Sequence, residues 1–202
     1  MSFVTKLNVH PAPAPLADDA APTAGVRPYE TGDAAPAIGV RPYETGDAAS
    51  AIGVRPYEAG DRADVLGMRL SARSLYLRFF AGTPRLPSFY AEALSRVDHW
   101  DRAALVAVAD TGVVGIAEYA RDATLPGLAD LAVLVADPWQ RRGVARRLVT
   151  DLAGLARARG IAELRADVLV ENHAARAAIG NVWPHAVAAR GEEGGLIYRI
   201  TL

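Results

Sequence analysis

The chain has 202 residues, a formal net charge of −1 and 51% hydrophobic residues. That length suits one domain with a margin, or a smaller domain carrying a tail, and the balanced charge offers no field to attract nucleic acid or an acidic membrane. With Cys at 0, disulfide scaffolds, thiolate metal sites and cysteine nucleophiles are excluded, so a reducing cytoplasm is the expected location. No apolar run approaches the roughly 18 residues that a membrane helix needs.

Along the chain, an internal repeat comes first. Residues 25–38 read GVRPYETGDAAPAI, 39–52 read GVRPYETGDAASAI and 53–66 read GVRPYEAGDRADVL. Each copy holds one short extended stretch and a turn, too little to bury a core of its own. Only after the third does a helical pattern follow, with Asp61 as its N-cap and Val65, Leu66, Met68 and Leu70 on one face. Residues 1–52, holding more than half of the 13 prolines, are therefore expected to form a disordered tail, with the folded domain at 53–202. The alternative is that the extra copies compete with the third for one strand position.

From residue 53 the pattern alternates. A short strand at Val54 and Arg55 precedes helices at 61–70, 72–80 and, past Thr83, Pro84 and Pro87, 88–97. Strands are expected at 103–109, 113–120 and 128–136, the first two joined as a hairpin by Asp110, Thr111 and Gly112. An amphipathic helix at 141–159 carries Val144, Leu148, Leu152 and Leu155 on one face and stops at Gly160. A strand at 162–170, a helix at 172–182 and strands at 185–190 and 196–201 follow. The fold class is α/β of the mixed α+β kind.

The chemistry concentrates in AVLVADPWQRRGVARR, residues 132–147. An apolar strand, a tight turn and a glycine-bearing helix start leave free backbone N–H groups pointing at one spot, an anion cradle. Arg141, Arg142, Arg146 and Arg147 crowd these first helical turns, where the helix dipole opposes each cation by some tenths to about 1 kcal/mol. A bound polyanion would explain them. Neither G-x-x-x-x-G-K-[ST] nor G-x-G-x-x-G is present, so a phosphate-loop NTPase and a dinucleotide fold are not supported.

Gln140-Arg141-Arg142-Gly143-Val144-Ala145 fits Q/R-x-x-G-x-G/A, and the chain is identified by it as a member of the GNAT N-acetyltransferase superfamily. Residues 70–80, LSARSLYLRFF, resemble the LS-x-x-S-x-Y-x-RFF segment of its bacterial protein lysine acetyltransferase branch, which modifies AMP-forming acyl-CoA synthetases. The resemblance covers nearly all of 53–202. It implies a central mixed, mostly antiparallel sheet flanked by helices, acetyl-CoA as co-substrate and no metal.

Residue roles follow from the resemblance. The splayed strand end at 133–135, with Leu134 and Val135 the preferred pair, would offer backbone groups to the pantetheine arm. The amides of Arg142, Gly143, Val144, Ala145 and Arg146 would hold the pyrophosphate, with Gln140 in the same signature and charge from the Arg141 or Arg142 side chain. Asn172 matches a position that hydrogen-bonds pantetheine or orders the acceptor side; capping the next helix explains it equally well. The base that takes the ammonium proton is glutamate in that branch, and the matching residue here is Asp130, one methylene shorter. Glu118 on the neighbouring strand is the second candidate, and a solvated strand-edge charge is the plain alternative for both. Ile179 stands where many members place a tyrosine that protonates the departing thiolate.

The expected function is acetyl transfer to a primary amine, with a protein lysine such as that of an acyl-CoA synthetase as one acceptor. A small-molecule amine acetyltransferase and a catalytically weak acyl-CoA-binding sensor are the alternatives. A monomer or homodimer is expected, with no nucleic acid or membrane partner. Of the 22 basic residues only Lys6 is lysine, so autoacetylation, if it occurs, is expected at Lys6 or the α-amino group, as peptide mapping would show.

Overall fold

The computed structural model describes residues 52–191 and 195–202. The expected tail therefore lies, apart from Ile52, outside the described residues. Seven strands, β1 (Gly53–Pro56), β2 (Arg102–Ala109), β3 (Gly112–Arg121), β4 (Leu128–Val135), β5 (Glu163–Leu169), β6 (Val187–Arg190) and β7 (Gly195–Thr201), form one sheet in the order β1-β2-β3-β4-β5-β7-β6. All neighbours are antiparallel except β4 and β5, and this parallel pair registers only from Leu128↔Glu163 to Asp130↔Arg165. Beyond Asp130 the two central strands diverge, which opens a fork in the sheet.

Strand alternation divides the apolar residues between two faces. On one, Leu105, Ala117, Leu131 and Val133 pack against Leu148 and Leu152 of α4 (Val144–Ala158) and Ala175 and Ile179 of α5 (His173–Val182). On the other, Val106, Ile116 and Leu134 pack against Val65 of α1 (Arg62–Leu66) and Tyr90 and Leu94 of α3 (Ser88–Leu94). Between these helices in the chain comes α2 (Ala72–Phe79), capped by Ser71, whose Oγ accepts from the Ser74 N–H at 3.2 Å. The sequence is consistent across levels here: most expected elements recur within two or three residues.

Three boundaries differ, each for a tertiary reason. Asp61 precedes α1 but makes no capping bond to it; its carboxylate turns back to accept from both Arg55 nitrogens at 2.7 and 2.6 Å and from the Glu58 N–H at 2.8 Å. The helix expected to reach 70 ends at Leu66, and the chain peels away so that the Arg69 carbonyl accepts from the Asp137 N–H at 2.9 Å. The helix expected from 141 starts at Val144, because Arg141 (φ 62°) and Gly143 (φ 81°) are left-handed.

Candidate active site

At Gly143 the left-handed backbone precedes a 15-residue helix whose N-terminus receives no side-chain cap. Glycine adopts this conformation without the clash a Cβ would bring. Arg141 adopts it at a cost of about 1–2 kcal/mol, which points to a loop shaped for a ligand rather than for its own ease. The first intrahelical bond is Arg147 N–H to Gly143 O at 3.0 Å, leaving the preceding amides of the turn for another acceptor. They open on a cleft of about 280 Å³ between the start of α4 and α5, lined by Gln140, Arg141, Gly143, Val144, Ala145, Arg146 and Asn181 among others.

The four arginines are not equivalent. Arg147 pairs with Asp151 at 2.6 Å, and Arg142 lies over the Trp139 ring, 5.2 Å from its centroid. Arg141 and Arg146 line the cleft and have no ion-pair partner among the described residues. Of the two side chains proposed for the pyrophosphate, Arg141 is therefore the one facing the cradle. Arg141→Ala should weaken acetyl-CoA binding about tenfold, while Arg142→Ala changes it less than threefold, measured by calorimetry. Gly143→Glu, which forces a side chain into a left-handed site and adds a negative charge, should weaken it ten- to a hundredfold; affinity retained within threefold would exclude the cradle.

Gln140 does not line the cleft with a free amide. Its Nε2 donates to Asp137 Oδ1 at 2.7 Å, Val135 O at 3.1 Å and Ser74 Oγ at 3.2 Å. Asp137 in turn accepts from Ser74 Oγ at 2.6 Å and from the Ser71 N–H at 2.8 Å. The two serines of LSARS thus clamp the start of α2 to the loop after β4. At its other side α2 reaches the end of β5: Arg73 lies 3.6 Å from Glu171, whose carboxylate raises the Tyr76 phenol pKa. Helix α2 straddles the open fork.

Within the fork, the Ala136 N–H to Val114 O bond sets the phase of β4. Antiparallel alternation then directs the backbone groups of Leu134 toward β3 and those of Val133 and Val135 toward the gap. The expectation for Leu134 is corrected accordingly: its backbone is spent on the sheet, and the backbone of Val133 takes the phase that faces the gap. Asn172 is buried at the start of α5, where Oδ1 accepts from the Ala175 N–H at 3.1 Å. Its Nδ2 has no partner among the described residues, so the cap and a ligand contact are compatible.

Asp130 sits at the branch point of the fork and accepts from Arg165 Nε at 2.6 Å. Burial raises its pKa above the ordinary carboxylate value, opposed by Arg165. The pair favours both charges, as the raised Arg165 pKa shows, but desolvation outweighs it at the carboxylate. Arg165 escaped the sequence reading, although its charge between the apolar Leu164 and Ala166 marks the same strand face. Glu118 is 6% exposed and bound to Arg78, itself 1% exposed, at 2.9 Å. It is no solvated edge charge: it lies on a central strand, in a buried pair under Tyr90, whose phenol pKa is pushed well up, first by burial and then by Glu118. Ile179 packs into the α4–α5 core, so no hydroxyl stands at that position. Among the described residues no group of three His, Asp or Glu could hold a metal, and no helix is long and apolar enough to cross a membrane.

The model of the acetyltransferase (GNAT) family matches residues 70–179. The GNAT domain of S. lividans PAT is similar at 30% identity, covering 75% of this chain and 91% of that one, with a TM-score of 0.69. Ribosomal-protein-alanine N-acetyltransferase from Brucella melitensis shares the fold at 20% identity, 74% and 99% coverage and TM-score 0.61. So does PaiA N-acetyltransferase from Thermoplasma acidophilum, solved in complex with coenzyme A, at 16% identity, 75% and 99% coverage and TM-score 0.59. With a family match that spans α2, the fork, the cradle and most of α5, the chain belongs to the GNAT acetyltransferase family.

Proposed function

We propose that the protein transfers the acetyl group of acetyl-CoA to a primary amine, with a protein lysine as acceptor. The observation that carries this reading is the fork itself: a half-buried carboxylate at its branch, an uncapped helix start at its outer end and α2 across its mouth. The amides of residues 143–146 and the Arg141 side chain bind the pyrophosphate. Backbone groups of Val133 extend the sheet toward the pantetheine arm, beside the Val135 carbonyl that Gln140 holds, and Asn172 Nδ2 donates to one of that arm's carbonyls. Gln140 positions the loop without touching the co-substrate.

The acceptor enters from the α2 side as an ammonium and, once that proton is removed, the neutral amine forms a C–N bond to the thioester carbonyl while the C–S bond breaks. Asp130 takes the ammonium proton through a water, since aspartate reaches less far than glutamate. CoA leaves as a thiolate without a donor at residue 179, and approximation supplies much of the rate. Glu118 is assigned to structure rather than to proton transfer.

The acceptor preference is supported by LSARSLYLRFF and by the 30% identity with S. lividans PAT. CoA release measured with a lysine-bearing AMP-forming acyl-CoA synthetase, against free polyamines and amino acids, tests it. Preference for the protein by at least tenfold in kcat/KM is expected. Preference for a free amine would assign a small-molecule acetyltransferase, and tight binding without turnover on any amine would make the protein a sensor.

A further inference from the structure

The third repeat copy enters the fold through a small, self-contained module. Ile52, Val54 and Tyr57 are buried, and β1 pairs with β2 from Gly53↔Val108 to Pro56↔Leu105. The Tyr57 N–H continues the ladder to Ala104 O at 2.9 Å, and Arg55, Glu58 and Asp61 lock the turn that follows. Each of these groups recurs one repeat earlier, as Ile38, Val40, Tyr43, Arg41, Glu44 and Asp47. From 38 to 47 the only difference is Thr45 in place of Ala59, and Ala59 is exposed. The first copy is poorer, because Ala24 precedes it where the buried isoleucine belongs.

Discrimination therefore falls outside the module. Val65, 0% exposed against Tyr90 and Leu134, aligns with Ala51, while Asp64 and Leu66 align with Ser50 and Ile52. A glycine follows both copies, Gly53 after the second and Gly67 after the third, so the chain can rejoin the fold at the same junction after sliding by one repeat.

We propose that the second copy is an alternative occupant of the β1 seat in its own chain, the chain shifting by one repeat and looping the third copy out before Gly67. Adjacency favours the same chain, because a short tether holds the competing segment at millimolar effective concentration. The two methyl groups lost where Ala51 takes the place of Val65 make the slipped form the minor one. Because α1 shares its core with Tyr90 and Leu134, the slip repacks the layer on the acceptor side of the sheet.

The absence of native cysteine makes disulfide trapping in the full chain direct. Gly53→Cys with Val108→Cys reports the third copy in the seat, and Gly39→Cys with Val108→Cys reports the second. Thr23→Cys with Val108→Cys gives the collisional background, since closure of loops of such similar length differs little. In a thiol redox buffer the 39–108 bond within one chain should exceed that background by about tenfold or more, and Val65→Ala should raise it roughly three- to tenfold. A yield equal to background while the 53–108 bond forms, or a 39–108 bond found only between chains, would overturn the proposal.

Discussion

Asp130→Asn should lower kcat by about two to four orders of magnitude and leave Tm unchanged or slightly higher. The two halves of this expectation have one cause. Burial raises the Asp130 pKa in the folded protein above its unfolded value, so the fold prefers the protonated form. The resulting stability is fully present below the unfolded pKa and is lost as pH rises through the folded one. At neutral pH the carboxylate is therefore a net cost, which an amide still accepting from Arg165 relieves. The same raised pKa makes the wild-type acid limb of kcat/KM fall at a pH above that of an ordinary carboxylate, and the variant should lose that limb. Parallel pH profiles and thermal melts check both; a loss of kcat under tenfold would place the base elsewhere.

The buried pair beneath α2 is expected to behave in the opposite manner. Arg78 holds Glu118 at 2.9 Å while its guanidinium lies 4.9 Å from the Phe79 ring centroid and 5.4 Å from that of Tyr90. Arg78→Met leaves Glu118 as an uncompensated charge, and such a break costs about 3–5 kcal/mol. For a domain of this size that lowers Tm by roughly 10 °C. Removing the second charge as well, with Glu118→Leu, should recover much of the loss, because an apolar pair of similar volume leaves nothing unpaired. Denaturant melts of the single and double variants measure this, and a single-variant loss under about 1 kcal/mol would mean that the pair is idle.

The contrast between these two carboxylates shows what local pattern conveys. Asp130 and Glu118 both read as polar residues interrupting apolar strands, and nothing in their neighbours separates them. Their surroundings diverge because β4 parts from β5 at Asp130, whereas Glu118 lies opposite Ala132 on a fully paired strand and meets Arg78, forty positions away. Likewise the signature Gln140–Ala145 marked a helix start led by a left-handed glycine and left uncapped, because these are local features. That Gln140 would spend its amide on Ser74 and Asp137, and that Arg142 would turn onto Trp139, depended on partners brought from elsewhere in the chain.

The sequence by itself determined the mixed fold class, the succession of elements, the glycine-led helix start and the repeat. Each is written in periodicity, turn chemistry or direct self-similarity, which act over a few residues. Only the tertiary structure decided where the fork opens, that Val133 rather than Leu134 faces it, which arginine lines the cleft and which carboxylate is left at the branch. Those outcomes depend on strand register and on long-range pairing, where a shift of one residue reverses which way every backbone group points.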